Sequence, residues 1–446
     1  MKKIGLISLG CDKNRVDSEI LLSSAFENNY EIVVNPEDAD VLVVNTCAFI
    51  ESAKQEAIEA IFDLVNVKNV TGAKLVVTGC LAQRYPQQLF DEIPEIDAIL
   101  GADNYARFAD VLNNLFQNPD KRYYDVSEKL TIVEQGNRIL TTPSHYAYLK
   151  IADGCDNCCT YCAIPKIRGR YRSRKMEDII AEAKKISAEG SGELILVAQD
   201  VTDYGKDLYG VPYLVPLIDE ISKIDEVQTI RLLYCYPEHV TDELIDCIAT
   251  NQKVAKYIDL PLQHVNDEIL RRMNRKISKQ EIIDVINKLK ENVWGIAIRT
   301  TFICGFPGEK EEHVKELNDF LIEHKLTNVG FFEYSQEEGT PAANYPDQVE
   351  HHVKSRRLNQ LVATQYKIVS ARNLMMIGVN LKVVVDVFCG NDERSGKYLY
   401  SCRSREMAPQ IDGMVYLYSQ VPLNIGEKLR VKIVAYNDYD LIAEVE

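Results

Sequence analysis

One pattern of apolar and polar positions occurs three times within the first hundred residues. "KKIGLISLGC", "DADVLVVNTC" and "GAKLVVTGC" are short β-branched apolar runs ending at Cys11, Cys47 and Cys80. Such runs form strands buried on both faces. The segments between them, "DSEILLSSAFENN" and "ESAKQEAIEAIFDLV", are amphipathic and predict helices. The alternation predicts a βαβαβ unit with a parallel sheet, whose strand C-termini share one edge. The three cysteines are therefore expected to converge. They are either small hydrophobes closing buried strands or a three-thiolate metal site. Zinc with a fourth ligand and an iron–sulfur cluster with one open iron fit the triad equally well.

From about residue 145 strand and helix alternate six times. The strand candidates are "YAYLKIA", "ELILVAQD", "IRLLYCYP", "YIDLPLQ", "IAIRTTFICGF" and "NVGFFEYS". Six βα units are too few for a closed eightfold barrel, so a partial barrel is expected. After a linking helix, "HHVKSRRLNQLVATQYKIVSARN", short strands follow: "NLKVVVDVF", "KYLYSCRS", "GMVYLYS", "EKLRVKIVAYN" and "DLIAEVE". These predict a five-stranded barrel of oligonucleotide-binding type. The expected fold is α/β. An N-terminal parallel βαβ sheet domain spans residues 1–135, and a partial (β/α)6 barrel with its linking helix spans 140–370. A small all-β barrel spans 375–446.

Composition narrows this picture. At 446 residues the chain exceeds one compact core, and 46% hydrophobic with 26% charged residues is ordinary for a soluble protein. The net charge of −16 repels a polyanion unless a local basic patch overrides it, and attracts a basic partner. "MKKIGLISLGC" mimics a bacterial lipoprotein signal, but its apolar run is at the short limit and its pattern recurs downstream as strands. No apolar segment approaches the ~18 residues of a membrane span. A cytosolic chain is expected, with its twelve cysteines serving as metal ligands or buried thiols rather than disulfides.

Four of those cysteines crowd into "GCDNCCTYC", residues 154–162. As overlapping Cys-x2-Cys pairs they offer four zinc ligands, but from one turn where structural zinc sites usually use two. As Cys155-x3-Cys159-x2-Cys162 they offer three thiolates to a four-iron cluster and leave one iron open, with Cys158 a bystander. Cys155, Cys158 and Cys162 form an alternative triad.

Cys-x3-Cys-x2-Cys after the first strand of a partial βα-barrel resembles the radical S-adenosylmethionine enzymes. The resemblance implies that the open iron chelates S-adenosylmethionine, whose reductive cleavage releases a 5′-deoxyadenosyl radical. The order of three-cysteine domain, barrel and small β domain looks like the methylthiotransferases over essentially the whole chain. That likeness implies a second [4Fe-4S] cluster on Cys11, Cys47 and Cys80, carrying the sulfur that is methylated and delivered. One S-adenosylmethionine is then methyl donor and another the radical source.

Two branches of that group differ in substrate, a modified adenosine beside the tRNA anticodon or the β-carbon of an aspartate in protein 12 of the small ribosomal subunit. "SLGCDKNRVDSE", "NTCAFIESAKQE", "DLPLQHVNDEILRRMNR", "IRTTFICGFPGE" and "CRSREMAPQIDGMVYL" are similar to the ribosomal-protein branch, the RimO family. Cys158, Cys304 and Met407 depart from the usual basic, aliphatic and acidic residues. None of these departures removes a presumed cluster ligand, but they put fine substrate contacts in doubt. The last barrel resembles the TRAM domain, often an RNA binder. From Leu381 to Glu446 it has eight Lys and Arg against ten Asp and Glu, about −2, which suits a basic protein better than phosphate. A barrel that only props up the core is the plainer alternative.

Cofactor contacts implied by the resemblance are Tyr161, Gln199, Gly305 and Glu309. Tyr161 either shields the cluster, contacts the adenine or simply packs. Gln199, with Asp200, ends a strand on the catalytic edge, and "GFPGE" is either a backbone approach to the cofactor or a tight turn. No catalytic residue beyond the cluster ligands is legible. Arg168, Arg170, Arg172 and Arg174 read as a solvated face, or as a contact to rRNA or a cofactor carboxylate. His264 has no visible partner, and Cys235, Cys247, Cys389 and Cys402 read as buried or incidental thiols. The expected partners are the basic ribosomal protein, free or assembled, and an electron donor such as flavodoxin or ferredoxin. No membrane is expected, and tRNA is disfavoured by charge. A metal-cluster module that docks on RNA without catalysis is the alternative from another class.

Overall fold

The computed structural model describes residues 1–102, 104–127, 130, 136–393 and 395–446. The chain opens with β1 (Lys2–Ser8), α1 (Asp12–Glu27), β2 (Tyr30–Ile32), β3 (Val41–Thr46), α2 (Glu51–Thr71) and β4 (Lys74–Gly79). Two short strands, β5 (Ala98–Leu100) and β6 (Tyr123–Asp125), complete a parallel six-stranded sheet in the order β2-β1-β3-β4-β5-β6. The three strands expected from the apolar runs are adjacent within it. The other three are only three residues long, too short to leave an alternating pattern in the sequence. Every residue of β3 is buried, as a central parallel strand requires. Leu42 and Val44 pack against Ala57 and Ile61 of α2, while Val41 and Val43 pack against Leu21 and Ala25 of α1. The expected end of this domain at residue 135 lies outside the described residues.

The barrel is built from β7 (Tyr146–Lys150), β8 (Glu193–Val197), β9 (Thr229–Leu232), β10 (Tyr257–Asp259), β11 (Ala297–Cys304) and β12 (Asn328–Glu333). They form two parallel three-stranded sheets, β9-β8-β7 and β10-β11-β12. The Cys235 amide donates to the Asp259 carbonyl at 2.8 Å and joins the two sheets. The linking helix His351–Met376 runs past the expected limit at 370 before the last domain begins. That domain is a closed barrel of β13 (Asn380–Asn391), β14 (Tyr398–Ser404), β15 (Val415–Ser419), β16 (Lys428–Asn437) and β17 (Asp440–Val445), in the order β13-β14-β15-β17-β16.

The three parts share a core. Val16 of α1 and Ala408 of the segment after β14 pack with Tyr146, Tyr148, Ile195, Val197 and Tyr257. The Tyr257 hydroxyl donates to Asp412 at 2.7 Å, Arg231 donates to the Arg405 carbonyl, and Glu193 pairs with both Arg231 and Arg403. On the other side, buried Arg138 ties Glu19 of α1 to Glu182 of the barrel. The last domain is thus wedged into the partial barrel through its 403–412 segment. No helix among the described residues is long and apolar enough to cross a membrane.

Candidate functional site

Cys11 follows β1, Cys47 follows β3 directly, and Cys80 opens the short helix α3 (Cys80–Arg84) after β4. Because β1, β3 and β4 are neighbours and parallel, all three sulfurs lie along one sheet edge. Two glycines permit the approach. Gly10 has φ +87°, and a Cβ there would lie 2.9 Å from the Cβ of Cys47. Gly79 has φ +91°, and a Cβ there would lie 2.2 Å from Asn45 Oδ1 and 2.6 Å from the Thr46 carbonyl. Any other residue would have to move the backbone. Buried side chains then stitch the edge. Asn14 Nδ2 donates to the Leu9 and Thr46 carbonyls, Asn45 Nδ2 donates to the Asn14 carbonyl, and Thr46 Oγ1 accepts from the Leu81 amide.

Burial pushes the Cys47 thiol up to about 12, and the neighbouring Cys80 and Cys11 add to the shift. Cys80 is also raised, because burial outweighs the opposing guanidinium of Arg168. Such thiols stay protonated unless a cation replaces the proton, as in metal binding.

The second group lies in one loop, between the short bridge strand Ala152–Asp153 and the short helix α4 (Ile164–Ile167). Cys155 and Cys162 are half-buried, Cys159 is buried, and Cys158 is exposed with φ +51°. The Cys158 carbonyl accepts from Asn274 Nδ2 at 3.0 Å, and the Thr160 amide donates to the Met273 carbonyl. Burial raises the Cys155 thiol to about 12, although the Asn157 amide opposes the shift. Burial raises Cys162 too, with further increments from Cys159 and Cys155 and a smaller one from Cys158. The Ile164 amide donates to Cys162 Sγ, and the Tyr236 hydroxyl meets Cys159 Sγ.

Between the two groups sits Arg168, 2% exposed. Its guanidinium donates to Cys80 Sγ at 3.4 Å, Asn14 Oδ1 at 2.5 Å, Asp17 at 2.8 Å and Asp153 at 3.2 Å. Lys150 also pairs with Asp17, and the Tyr105 hydroxyl donates to it at 3.1 Å. Burial alone would raise the Asp153 carboxyl, but Arg168 and Lys150 hold it well below the usual carboxylate range. The expected solvated face of Arg168–Arg174 is thereby corrected. Arg168 and Arg174 are buried in ion pairs, and Arg170 is the exposed member. For Arg168 nothing local in the sequence signals this, because its partner Asp17 comes from another domain.

The implied cofactor contacts fall into two pairs. Gln199 Nε2 donates to Asp153 Oδ1 at 2.7 Å, while its Oε1 is buried without a hydrogen-bond partner. Tyr161 packs against the cluster of Phe306, Tyr334 and Met273 and lies beside Cys159. Both adjoin the cysteine loop. Gly305 has φ +73°, and what its backbone approaches is the Lys354 side chain of the linking helix, 2.4 Å from a would-be Cβ. The Glu309 carboxylate accepts from the Gly305 amide at 2.9 Å and from Arg357 at 3.0 Å. Gly305 and Glu309 thus brace the turn behind Phe306. His264, for which the sequence shows no partner, is fully buried, its Nε2 3.5 Å from Glu309. Cys235, Cys247 and Cys402 are buried and Cys389 is exposed.

Among the described residues, the His/Cys/Asp/Glu group closing to within 4.8 Å is Asp200, Asp203 and His239. It braces the cysteine loop, since Asp200 also accepts from Asn157 at 2.9 Å. The sulfurs of neither triad close to the span that a single ion needs. Three soft thiol ligands so disposed suit an iron–sulfur cluster. The unpartnered Gln199 oxygen beside the second triad suits an amine donor on a bound cofactor.

Comparison with known proteins adds three family matches. The Radical SAM superfamily matches residues 149–321, the Uncharacterized protein family UPF0004 residues 3–101, and the TRAM domain residues 377–445. A protein of Clostridium tetani (strain Massachusetts / E88) named "Ribosomal protein uS12 methylthiotransferase RimO" is 48% identical over 99% of this chain and 98% of its own. A protein of the same name from Desulforamulus reducens is 48% identical over the whole of both chains. Among solved structures, the radical S-adenosylmethionine methyltransferase TsrM of Kitasatospora setae, with cobalamin and a [4Fe-4S] cluster, aligns with TM-score 0.55. It is 14% identical over 76% of this chain and 77% of its own. OxsB, a cobalamin-dependent S-adenosylmethionine radical enzyme, aligns with TM-score 0.52 at 14% identity, over 82% of this chain and 56% of its own. At that identity the two structures speak for the fold alone.

Proposed function

This chain belongs to the RimO family of ribosomal protein uS12 methylthiotransferases, and from that premise we propose that it attaches a methylthio group to the β-carbon of an aspartate in uS12. The observation that carries the reading is the pair of cysteine triads, with buried Arg168 donating to Cys80 of the first and to Asp153, two residues before Cys155 of the second. Cys11, Cys47 and Cys80 would hold one [4Fe-4S] cluster, and Cys155, Cys159 and Cys162 the other. When bound, the clusters and S-adenosylmethionine supply the one-electron cleavage, the methyl group and the sulfur that side chains lack.

The chain's own residues do the positioning. The unpartnered Gln199 oxygen would accept from the amino group of a bound S-adenosylmethionine. Tyr161 and Phe306 give that side of the loop an apolar wall that excludes water. Asn14, Asn45 and Thr46 hold the first triad's strand ends in register. The weakly acidic last barrel suits a basic ribosomal protein. An electron donor such as flavodoxin or ferredoxin completes the reaction. Exposed Arg271 and Lys276 flank Asn274, which holds the Cys158 carbonyl, and offer an acidic carrier a basic face near the second triad. The site of action is placed in the cytoplasm, with the ribosomal substrate.

The tRNA and RNA-docking alternatives give way, because relatives matching end to end carry the uS12 name. Incubation of the anaerobically reconstituted protein with uS12, S-adenosylmethionine and a reductant tests the reading. Tandem mass spectrometry is expected to place a methylthio group on one aspartate. Modification of tRNA alone, or of a different residue type, would overturn it.

A further inference from the structure

Lys13 is the second residue of α1, two positions after Cys11, and is 7% exposed. Its ammonium lies 3.2 Å from the centroid of the Tyr234 ring. Unlike the other buried cations nearby, it pairs with no carboxylate among the described residues. Lys150 pairs with Asp17, Arg168 with Asp17 and Asp153, and Arg138 with Glu19 and Glu182. The adjacent carboxylate, Asp12, is turned to the Tyr234 hydroxyl at 3.1 Å. The first turn of a helix is also the wrong end for a cation, because the exposed amides there already carry partial positive charge. Lys13 therefore stands buried, uncompensated and against the helix dipole, and the face of one aromatic ring offsets only part of this.

An arriving anion would relieve both penalties at once. The place lies on the edge where βα-barrels bind their substrates. Tyr234 follows β9 on the edge shared by the barrel-strand C-termini, its amide fixed on Asp259 at 3.1 Å. Among the described residues the Lys13 nitrogen donates no hydrogen bond, and it is absent from the fully enclosed partnerless atoms, so its surface is not completely closed.

We propose that Lys13 is the carboxylate-binding residue of the substrate site, holding the side chain of the accepted aspartate beside the first triad and selecting aspartate over its neutral isostere. This rests on the reading that the modified residue is an aspartate. The rival role for the same charge is balancing a cluster on Cys11, and the test separates the two.

Full-length wild type, Lys13→Gln and Lys13→Arg are reconstituted anaerobically and assayed for iron and sulfide, then with uS12 and with uS12 whose target Asp is changed to Asn. Lys13→Gln is expected to keep wild-type iron and sulfide and to lose about 10- to 100-fold in kcat/KM through KM. Lys13→Arg recovers most of that loss. Wild type prefers the Asp form by a similar factor, and Lys13→Gln does not discriminate. Unchanged KM and preference in Lys13→Gln would overturn the proposal, as would a loss of iron that accounts for the defect. If wild type leaves every uS12 aspartate unmodified, the proposal falls together with the reading beneath it, and that result is visible before any variant is made.

Discussion

The two cysteine triads are built in opposite ways. The second is local, with Cys155, Cys159 and Cys162 in one loop braced by contacts from Met273, Asn274, Asp200 and Tyr236. The first exists only when three strands are in register, since Cys11, Cys47 and Cys80 meet through the sheet edge and its Asn14–Asn45–Thr46 stitching. Their surroundings differ as well. A guanidinium reaches a sulfur of the first triad and a phenol reaches one of the second, while backbone amides reach sulfurs of both. Hydrogen bonds and charge at cluster sulfurs set reduction potential, so the difference suits two centres with separate tasks.

The largest effects should come from removing either triad whole. Cys155→Ala/Cys159→Ala/Cys162→Ala is expected to abolish 5′-deoxyadenosine formation. Cys11→Ala/Cys47→Ala/Cys80→Ala is expected to retain it and lose the methylthio product. Chromatography of the nucleoside and mass spectrometry of uS12 read the two outcomes. Equal loss of both products in both variants would erase the division of labour.

Arg168 is where the comparison breaks next. Arg168→Leu leaves Asp17 with Lys150 and the Tyr105 hydroxyl, and removes the main partner of Asp153. Breaking a buried ion pair from one side costs about 3–5 kcal/mol. The expected result is a lower thermal midpoint and the loss of about half the bound iron, from the first triad, with the loop triad still loaded.

How much of this was legible in the sequence follows the same division. The loop triad is contiguous, so its spacing could be read directly. The first triad was legible because its strands repeat one apolar pattern, although β2, β5 and β6 were too short to leave one. The placement of Arg168 was hidden, because a run of four arginines looks solvated until Asp17, far away in sequence, supplies the carboxylate. His264 was hidden in the same way by Glu309. Gly305 reads in the sequence as a backbone approach to the cofactor or a tight turn; the side chain its backbone approaches in the fold is Lys354 of the linking helix, which local sequence does not show.

A smaller effect concerns the third domain. Burial alone would raise the Glu193 carboxyl, but Arg403 and Arg231 hold it at about 2. A carboxyl depressed in the folded state stabilises above its unfolded value near 4.3 and loses that contribution as pH falls toward 2. The full contribution is on the order of 3 kcal/mol. The difference in thermal midpoint between wild type and Glu193→Gln should therefore stay constant from about pH 7 to 5 and narrow below about pH 4. The smallest expected change is that of Cys158→Ser. Its side chain is exposed, so bound iron and 5′-deoxyadenosine yield should match wild type; a clear loss of either would return Cys158 to the ligand set.

Iron and sulfide quantitation with Mössbauer spectroscopy, on wild type and both triple variants purified anaerobically, tests the pair of triads most directly. Two four-iron clusters predict about eight irons per wild-type chain and about four in each variant. About four irons in the wild type, or zinc in place of iron, would contradict the account.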